Sequence, residues 1–168
     1  AAHRANDFVA IGSAGAQRMI MDFIPGQNTY TSVEAIGPAG DPVAFLNASG
    51  NLWKTDGTCE GTVLVKDFNQ SGYPTNFMRV GTLVFFTANN TTNGRELWAT
   101  NGTEAGTYLV KDIYAGSNGS APDDFCRKGS ILYFTAITSA NGRELWRSNG
   151  TGSGTYLVSD IRPGTNSS

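Results

Sequence analysis

Short runs of alternating apolar and polar residues dominate this chain, and turn-forming residues separate them. In one stretch the pattern predicts four strands, at Phe77–Val80, Thr82–Ala88, Glu96–Thr100 and Thr107–Ile113. Asn-Gly and Lys-Gly pairs lie between such runs, as tight hairpin turns require. The longest apolar runs have four residues, far fewer than the roughly 20 that a membrane-crossing helix needs. The pattern predicts an all-β protein with no membrane span.

The sequence repeats itself with a period of 45 to 48 residues. Trp53, Trp98 and Trp146 occupy one repeat position, 45 and 48 residues apart. The most similar copies are 95–113 and 143–161, which both start with Arg-Glu-Leu-Trp and continue through Asn-Gly-Thr and Gly-Thr-Tyr-Leu-Val to Asp-Ile. Four strands in a period of this length are typical of a β-propeller blade.

A partial unit is predicted before the first complete repeat, because Phe8 stands 45 residues before Trp53. We therefore expect one repeat domain over residues 1–168, an all-β, β-propeller-like array of four-stranded antiparallel units. Its units are the partial 8–22 and the complete 23–67, 68–112 and 113–160. Two strands and three sets of four give about 14 strands, whereas four complete blades need about 16. The last blade is thus predicted to be incomplete.

The repeated string itself resembles a known family. Glu-Leu-Trp-x-Thr-Asp-Gly-Thr, followed by Gly-Thr-x-Leu-Val-Lys-Asp-Ile, is similar to the ELWxTDGT repeat, and the resemblance covers residues 8–164. It implies a propeller-like, secreted or surface protein and no particular reaction. The chain departs from the pattern at Asn51, where other copies have Glu, and at Asn101 and Asn149, which replace the Asp of the motif.

Composition argues against several kinds of chemistry. The chain has 12 Lys and Arg against 14 Asp and Glu, and charged residues make up only 15% of it. Because no basic block stands out, nucleic-acid binding is not expected. The single histidine, His3, cannot supply a Ser-His-Asp triad or a multi-histidine metal site. We predict no enzyme activity, no cofactor and no metal site.

The repeated aromatic residues and charged pairs each have a structural and a functional interpretation. The tryptophans could stack on sugars, as in a lectin, but their repetition together with Phe8 favours packing between units. The pairs Arg95–Glu96 and Arg143–Glu144 could supply glycosidase carboxylates, yet catalytic residues are rarely copied once per repeat. We expect these pairs to form cross-strand ion pairs or hydrogen bonds to neighbouring turns.

An aspartate recurs at the end of the fourth strand of each unit, at Asp22, Asp67, Asp112 and Asp160. A carboxylate at this position can accept backbone N–H bonds and fix the following turn. A repeated calcium site is the alternative, but no Asp-x-Asp-x-Asp run surrounds these residues. A structural role is therefore predicted.

Cys59 and Cys126 are the two cysteines of the chain. Cys59 is predicted in the turn between the third and fourth strands of one unit, and Cys126 in the first strand of the unit two steps on. In an oxidising compartment we expect a disulfide between them, and a link between subunits is the alternative.

Eight Asn-x-Ser/Thr sequences could accept N-linked glycans, and none has Pro in the middle position. They begin at Asn47, Asn69, Asn89, Asn90, Asn101, Asn118, Asn149 and Asn166. All eight are predicted in turns or loops, where a glycan stays in solvent. Asn101 and Asn149 have a second explanation, because Asn-Gly is preferred in tight hairpin turns.

These features predict an extracellular or cell-surface repeat glycoprotein with a structural or adhesive role and no catalysis. Copies of the chain are expected to associate into a fibre or surface layer, and N-linked glycans are the expected covalent modification. The open edge of an incomplete unit is the predicted contact between copies. The alternative is a carbohydrate-binding propeller lectin, whose partners are glycans held in clefts between blades.

Overall fold

The computed structural model is all-β, which confirms the class that the sequence predicts. It describes residues 50–56, 60–69, 71–161 and 164, and the backbone alone of four earlier strands. In these parts of the chain, 14 strands form one two-stranded and three four-stranded antiparallel sheets. None of the described residues belongs to a helix that could cross a membrane.

Within each sheet the strands follow one another in chain order. A two-stranded sheet contains β1 (Phe8–Ile11) and β2 (Arg18–Met21). The first four-stranded sheet, called the first sheet, contains β3 (Tyr30–Ala35), β4 (Ala44–Ala48), β5 (Asn51–Thr55) and β6 (Val63–Lys66). The middle sheet contains β7 (Thr75–Val80), β8 (Leu83–Asn90), β9 (Gly94–Thr100) and β10 (Thr107–Lys111). The last sheet contains β11 (Asp123–Lys128), β12 (Ile131–Thr138), β13 (Gly142–Ser148) and β14 (Tyr156–Ser159).

The hairpins that open the middle and last sheets depend on glycine. Gly81 and its repeat equivalent Gly129 have φ of 63° and 61°, in the left-handed region. A β-carbon at either position would meet no atom within 4 Å. The backbone conformation, and not a lack of space, therefore requires glycine in these two turns.

One face of the middle sheet packs on the first sheet. Val84, Phe86 and Ala88 of β8 lie in a single hydrophobic cluster with Leu52 and Phe68, which come from the first sheet and its following loop. The rings of Phe68 and Phe86 meet edge to face, with centroids 6.4 Å apart. This cluster forms the core between the first two sheets.

The other face of the middle sheet packs on the last sheet. Phe85 shares a second cluster with Phe134 and Trp146 of the last sheet. Because neighbouring residues of a strand point to opposite faces, Phe85 and Phe86 belong to different cores. The continuous apolar run Leu83–Phe86 therefore marks a strand that is covered on both sides.

The last sheet is more open than the middle sheet. Side chains along β12 and β13 alternate between buried and half-buried positions. On β14, Tyr156 and Val158 are 46% and 42% exposed. The buried face packs on the middle sheet, and we call the opposite face the outer face of the last sheet.

The described strands pair only within their own sheets, and each sheet is open at both edges. First strands nevertheless lie together, because β7 contacts β11 on one side and β3 and β4 on the other. The four-stranded antiparallel units of the prediction are thus present. The closed ring of a propeller is not seen among these strands.

Replacing Phe86 with Ala is expected to lower the free energy of unfolding by about 3–5 kcal/mol, because the ring is fully buried between two sheets. The control is Tyr73→Ala, since the Tyr73 side chain is 56% exposed. Urea denaturation followed by tryptophan fluorescence measures both variants. Equal losses in the two proteins would contradict the packing described for β8.

Candidate glycosylation and contact sites

Some of the candidate glycosylation sites lie in strands, although the sequence predicted all eight in turns or loops. Asn47 lies within β4, and Asn89 and Asn90 are the last two residues of β8. The prediction was wrong for Asn89 and Asn90 because pairing between β8 and β9 continues up to the hairpin turn, and for Asn47 because β4 pairs with β5 at this residue. Asn166 and the side chain of Asn47 lie outside the described residues.

Asn89 and Asn90 use their amide groups to hold neighbouring structure. Nδ2 of Asn89 donates to the carbonyl oxygen of Ser71 at 3.2 Å, and Nδ2 of Asn90 donates to Oδ1 of Asn93 at 3.2 Å. Both side chains are half-buried. An N-linked glycan is attached through this nitrogen, so modification would disturb both contacts.

Asn101 and Asn149 lie in exposed turns with the same geometry. Oδ1 of Asn101 accepts hydrogen bonds from the backbone nitrogen and hydroxyl of Thr103, at 3.0 and 2.7 Å. Oδ1 of Asn149 accepts the equivalent bonds from Thr151, at 3.0 and 2.8 Å. The threonine that completes each acceptor sequence therefore binds its own asparagine. Both asparagines are exposed residues, and their side-chain amides lie against Gly106 and Gly154 of the same turns.

Asn69 and Asn118 are exposed in the connections between sheets. Asn69 has a φ of 52°, and its backbone nitrogen donates to Oδ1 of Asp67 at 2.7 Å. Asparagine tolerates this left-handed conformation better than most residues. Both residues can therefore carry a glycan without loss of buried contacts.

Trp98 and Trp146 lie in the two hydrophobic cores, at 7% and 8% exposure. Trp98 meets Phe68 edge to face, with ring centroids 5.0 Å apart. Trp53 is half-buried, and the side chain of Phe8 lies outside the described residues. The two buried rings pack between sheets and present no face on which a sugar could stack.

Glu96 is a buried carboxylate that holds the connection between the middle and last sheets. Its Oε1 accepts hydrogen bonds from the backbone nitrogens of Tyr114 and Ser120, at 3.0 and 2.9 Å. Its Oε2 accepts one from the Ser120 hydroxyl at 2.5 Å. Burial raises the pKa of Glu96 above its ordinary value, and these hydrogen bonds partly oppose the shift.

Glu144 and Asn51 occupy the repeat position of Glu96 and bind the same kind of backbone group. Oε2 of Glu144 accepts from the nitrogen of Ile161 at 2.8 Å, and Oδ1 of Asn51 accepts from the nitrogen of Phe68 at 2.7 Å. Asn51 therefore keeps an acceptor where other copies have Glu. Glu96 and Glu144 are both fully buried, which leaves no room for a substrate beside their carboxylates.

The arginines of the predicted charged pairs bind the chain that enters the same sheet. Arg95 donates to the hydroxyl of Thr75, and Arg143 donates to the hydroxyl of Thr135 at 3.0 Å. Arg143 also donates to the carbonyl oxygen of Ala121 at 3.1 Å. These contacts join the third strand of a sheet to its first or second strand.

The repeated aspartates bind the turns near them in two ways. Asp67 accepts a backbone hydrogen bond from the residue two positions on, as predicted for the group. Asp112 and Asp160 each accept instead from the side-chain amide of a hairpin asparagine, at 2.8 Å. These asparagines are Asn93 and Asn141. Asp22 lies outside the described residues, within which no group of three or more His, Cys, Asp or Glu side chains could hold a metal ion.

Cys126 is exposed and carries a free thiol. It lies on β11, the first strand of its unit. A disulfide requires its two sulfur atoms to be about 2 Å apart, and Cys126 has no such partner. The predicted disulfide is therefore absent from this structure, and Cys59 itself lies outside the described residues.

A row of side chains on the outer face of the last sheet was not predicted from the sequence. Register pairs Tyr133 with Arg147, and Arg147 with Tyr156. The guanidinium carbon of Arg147 lies 5.2 Å from the centre of the Tyr156 ring, and Nε of Arg147 is buried with no hydrogen-bond partner in the described part of the chain. The sequence contained one signal for this row, because the repeat position that holds Ala99 in the middle sheet holds Arg147 in the last sheet.

No family model and no curated protein matches this sequence. Among solved structures, the chain is similar to the computationally designed Ika8 protein, with a TM-score of 0.50 and 16% identity over 98% of this chain and 47% of that chain. It thus spans about half the length of Ika8. It is also similar to the computationally designed Ika4 protein, with a TM-score of 0.45 and 17% identity over 82% of this chain and 76% of that chain. The likeness to Ika8 concerns the fold alone.

Replacing Glu96 with Gln removes the charge but keeps the size of the side chain. Because burial raises the pKa of Glu96, the folded protein binds its proton up to a higher pH than the unfolded chain does. The stability of the folded protein should therefore fall as pH rises from the pKa of Glu96 in the unfolded chain to its higher pKa in the folded protein. The Gln variant lacks this fall, so its stability relative to the unmodified protein is expected to increase as pH rises above the ordinary pKa of a glutamate.

Urea unfolding at several pH values measures this difference. Glu104→Gln supplies the matched control, because Glu104 is exposed in the β9–β10 turn. If Glu96→Gln and the unmodified protein gave parallel pH profiles, the ionisation of Glu96 would not be linked to folding.

Proposed function

We propose that this chain is an extracellular or cell-surface structural or adhesive glycoprotein that associates with copies of itself into a fibre or surface layer. The observation that carries the proposal is the exposed turn that recurs at Asn101 and Asn149, with the threonine hydroxyl bound to the amide oxygen. The turn occurs at the same place in two consecutive sheets. An array of such units would present glycans at regular intervals.

The proposal includes a propeller-like arrangement of the units and kinship with the ELWxTDGT repeat. Its support is the way that consecutive sheets stack face to face through apolar side chains. The contacts of β7 with both β3 and β11 bring the first strands together, as an array around a common axis requires.

A role without catalysis is supported by the burial of the two glutamates that could have acted as catalytic acids. Glu96 and Glu144 are fully buried, and both bind backbone nitrogens. A glycosidase needs two carboxyl groups that reach the sugar, about 5–10 Å apart. A scaffold of stacked sheets needs neither a cofactor nor a metal.

The carbohydrate-binding alternative draws its support from exposed tyrosines, since Tyr73, Tyr108 and Tyr156 are all accessible. The tryptophans, which first suggested carbohydrate binding, do not support this alternative, because Trp98 and Trp146 are buried. A glycan array separates the two functions. The scaffold proposal expects no selective binding, and selective binding of one class of sugar would favour the lectin.

Intact mass before and after enzymatic removal of N-linked glycans tests the glycoprotein, using protein isolated from its natural source. We expect a large decrease in mass, and peptide mapping should find aspartate in place of asparagine at Asn101 and Asn149. Asn89 and Asn90 should remain unmodified, because their amide nitrogens hold other groups. An unchanged mass would refute the proposal.

The variant Thr103→Val provides an internal control for this measurement. It removes the hydroxyl that completes the acceptor sequence at Asn101, while the equivalent turn at Asn149 stays intact. The expected result is loss of modification at Asn101 alone. Retention of a glycan at Asn101 would mean that the group attached there does not depend on the acceptor sequence and is not an N-linked glycan of this kind.

A further inference from the structure

Five asparagines of this chain are followed directly by glycine, and all five lie in the part that the structure describes. They are Asn93, Asn101, Asn118, Asn141 and Asn149. Glycine has no side chain to shield its backbone nitrogen, so this nitrogen can attack the side-chain amide of the asparagine before it. The sequence alone makes the five pairs equally suited to this reaction.

The reaction converts asparagine in two steps. The glycine nitrogen forms a bond to Cγ of the asparagine, the bond from Cγ to Nδ2 breaks, and ammonia leaves with the proton that the glycine nitrogen loses. Water then opens the cyclic imide at one of its two carbonyl carbons, which gives aspartate or isoaspartate. The first step needs a glycine nitrogen and an asparagine amide that can approach each other.

A carboxylate holds two of the five amides. Nδ2 of Asn93 donates to Oδ2 of Asp112, and Nδ2 of Asn141 donates to Oδ2 of Asp160, both at 2.8 Å. The amide oxygen gains negative charge when the glycine nitrogen attacks, and a neighbouring carboxylate opposes that charge. The fold therefore slows the reaction at Asn93 and Asn141.

In the two Asn-Gly-Thr turns, hydrogen bonds hold both reacting groups. The backbone nitrogen of Gly102 donates to Oγ1 of Thr100 at 2.9 Å, and the backbone nitrogen of Gly150 donates to Oγ of Ser148 at 3.0 Å. In each turn the amide oxygen of the preceding asparagine also accepts two hydrogen bonds. Because these bonds must break before the groups can meet, the reaction is slowed here as well.

Asn118 differs from the other four asparagines. It is exposed in the connection between the middle and last sheets. Its side chain makes no hydrogen bond to the described part of the chain, and the same is true of the backbone nitrogen of Gly119. Neither reacting group has to leave another partner before the attack.

The connection that contains Asn118 packs closely on the middle sheet. A β-carbon at Gly94 would lie 2.6 Å from the backbone nitrogen of Gly119. The next residue, Ser120, donates two hydrogen bonds to the buried carboxylate of Glu96. Isoaspartate at position 118 carries the main chain through the former side chain and makes it one carbon longer, so this packing must change.

We propose that Asn118 is the deamidation site of this chain, where the cyclic imide forms and opens to aspartate or isoaspartate, while the fold protects the other four Asn-Gly pairs. Isoaspartate there loosens the hold of Glu96 on the chain that enters the last sheet. The inference goes beyond the proposed function. It concerns copies without a glycan at Asn118, because a glycan is attached to the nitrogen that leaves as ammonia.

Peptide mapping tests the site with the folded full-length chain, produced in a host without N-glycosylation and incubated at mildly alkaline pH in water enriched in heavy oxygen. Trypsin cuts after Lys and Arg and places the five pairs in five different peptides. Digestion in ordinary water leaves later conversions unlabelled. We expect Asn118 to react at least about tenfold faster than each of the other four. In concentrated urea the five should react at similar rates. A folded chain in which Asn118 reacts no faster than the others would overturn the inference.

Asp112→Asn tests the protection of Asn93. The change removes the charge beside this amide and keeps the size of the side chain, whereas Asn141 keeps Asp160 and serves as the control in the same molecule. Conversion at Asn93 should become at least about fivefold faster, with Asn141 unchanged. An unchanged rate at Asn93 would refute the protection by the fold.

The two products of Asn118 test the effect on the connection. Both carry a new carboxylate, but only isoaspartate lengthens the main chain, so the aspartate form is the matched control. The forms can be separated by chromatography, and enzymatic methylation identifies isoaspartate. The isoaspartate form should unfold at a lower urea concentration than the aspartate form. Equal midpoints would show that the connection does not depend on the packing of this segment, against the inference.

Discussion

A β-sheet with two apolar faces must have both of them covered, and this requirement organises the whole molecule. Phe85 and Phe86 are neighbours in β8, and each is almost completely buried in a different core. The middle sheet therefore depends on the sheet before it and the sheet after it. Hydrophobic burial of this kind is the main favourable term in folding. A single unit of this repeat would leave much of that surface in water.

Hydrogen bonds between polar side chains recur in each four-stranded sheet, and few of these side chains are charged. In each four-stranded sheet, two hydroxyl side chains bridge the third strand and the residue before or at the start of the fourth strand. The pairs are Thr55–Thr62 at 2.8 Å, Thr100–Thr107 at 2.7 Å and Ser148–Thr155 at 2.7 Å. Acceptors at Glu96, Glu144 and Asn51 fix the chain as it leaves each sheet. Hydrogen bonds between hydroxyl groups, and from backbone nitrogens to buried side-chain oxygens, thus recur from sheet to sheet in a chain with 15% charged residues.

The repeat made much of the fold predictable, because side chains at equivalent repeat positions make equivalent contacts. The predicted strand Thr82–Ala88 differs from β8 by two residues at its end, where polar Asn89 and Asn90 hid the continued pairing. The free thiol of Cys126 was not predictable, because cysteine spacing gives no distance between sulfur atoms. The burial of Glu96 could not be predicted from the sequence either, since a charged residue in a strand usually faces solvent.

Two equivalent tyrosines show a further limit of sequence reasoning. Tyr108 and Tyr156 are identical residues at one repeat position, but among the described residues Tyr108 binds a glycine turn and Tyr156 lies under the guanidinium of Arg147. The difference lies in what covers each sheet, and no local pattern in the sequence records it.

Amide hydrogen exchange, resolved by peptide at a concentration where the chain is a single copy, tests most directly whether each sheet is stabilised by its neighbours. We expect β8 and β9, covered on both faces, to exchange more slowly than β12 and β13, which the described part of the chain covers on one face. Equal or faster exchange in β8 and β9 would contradict it, because protection would then not follow the burial of the sheet faces.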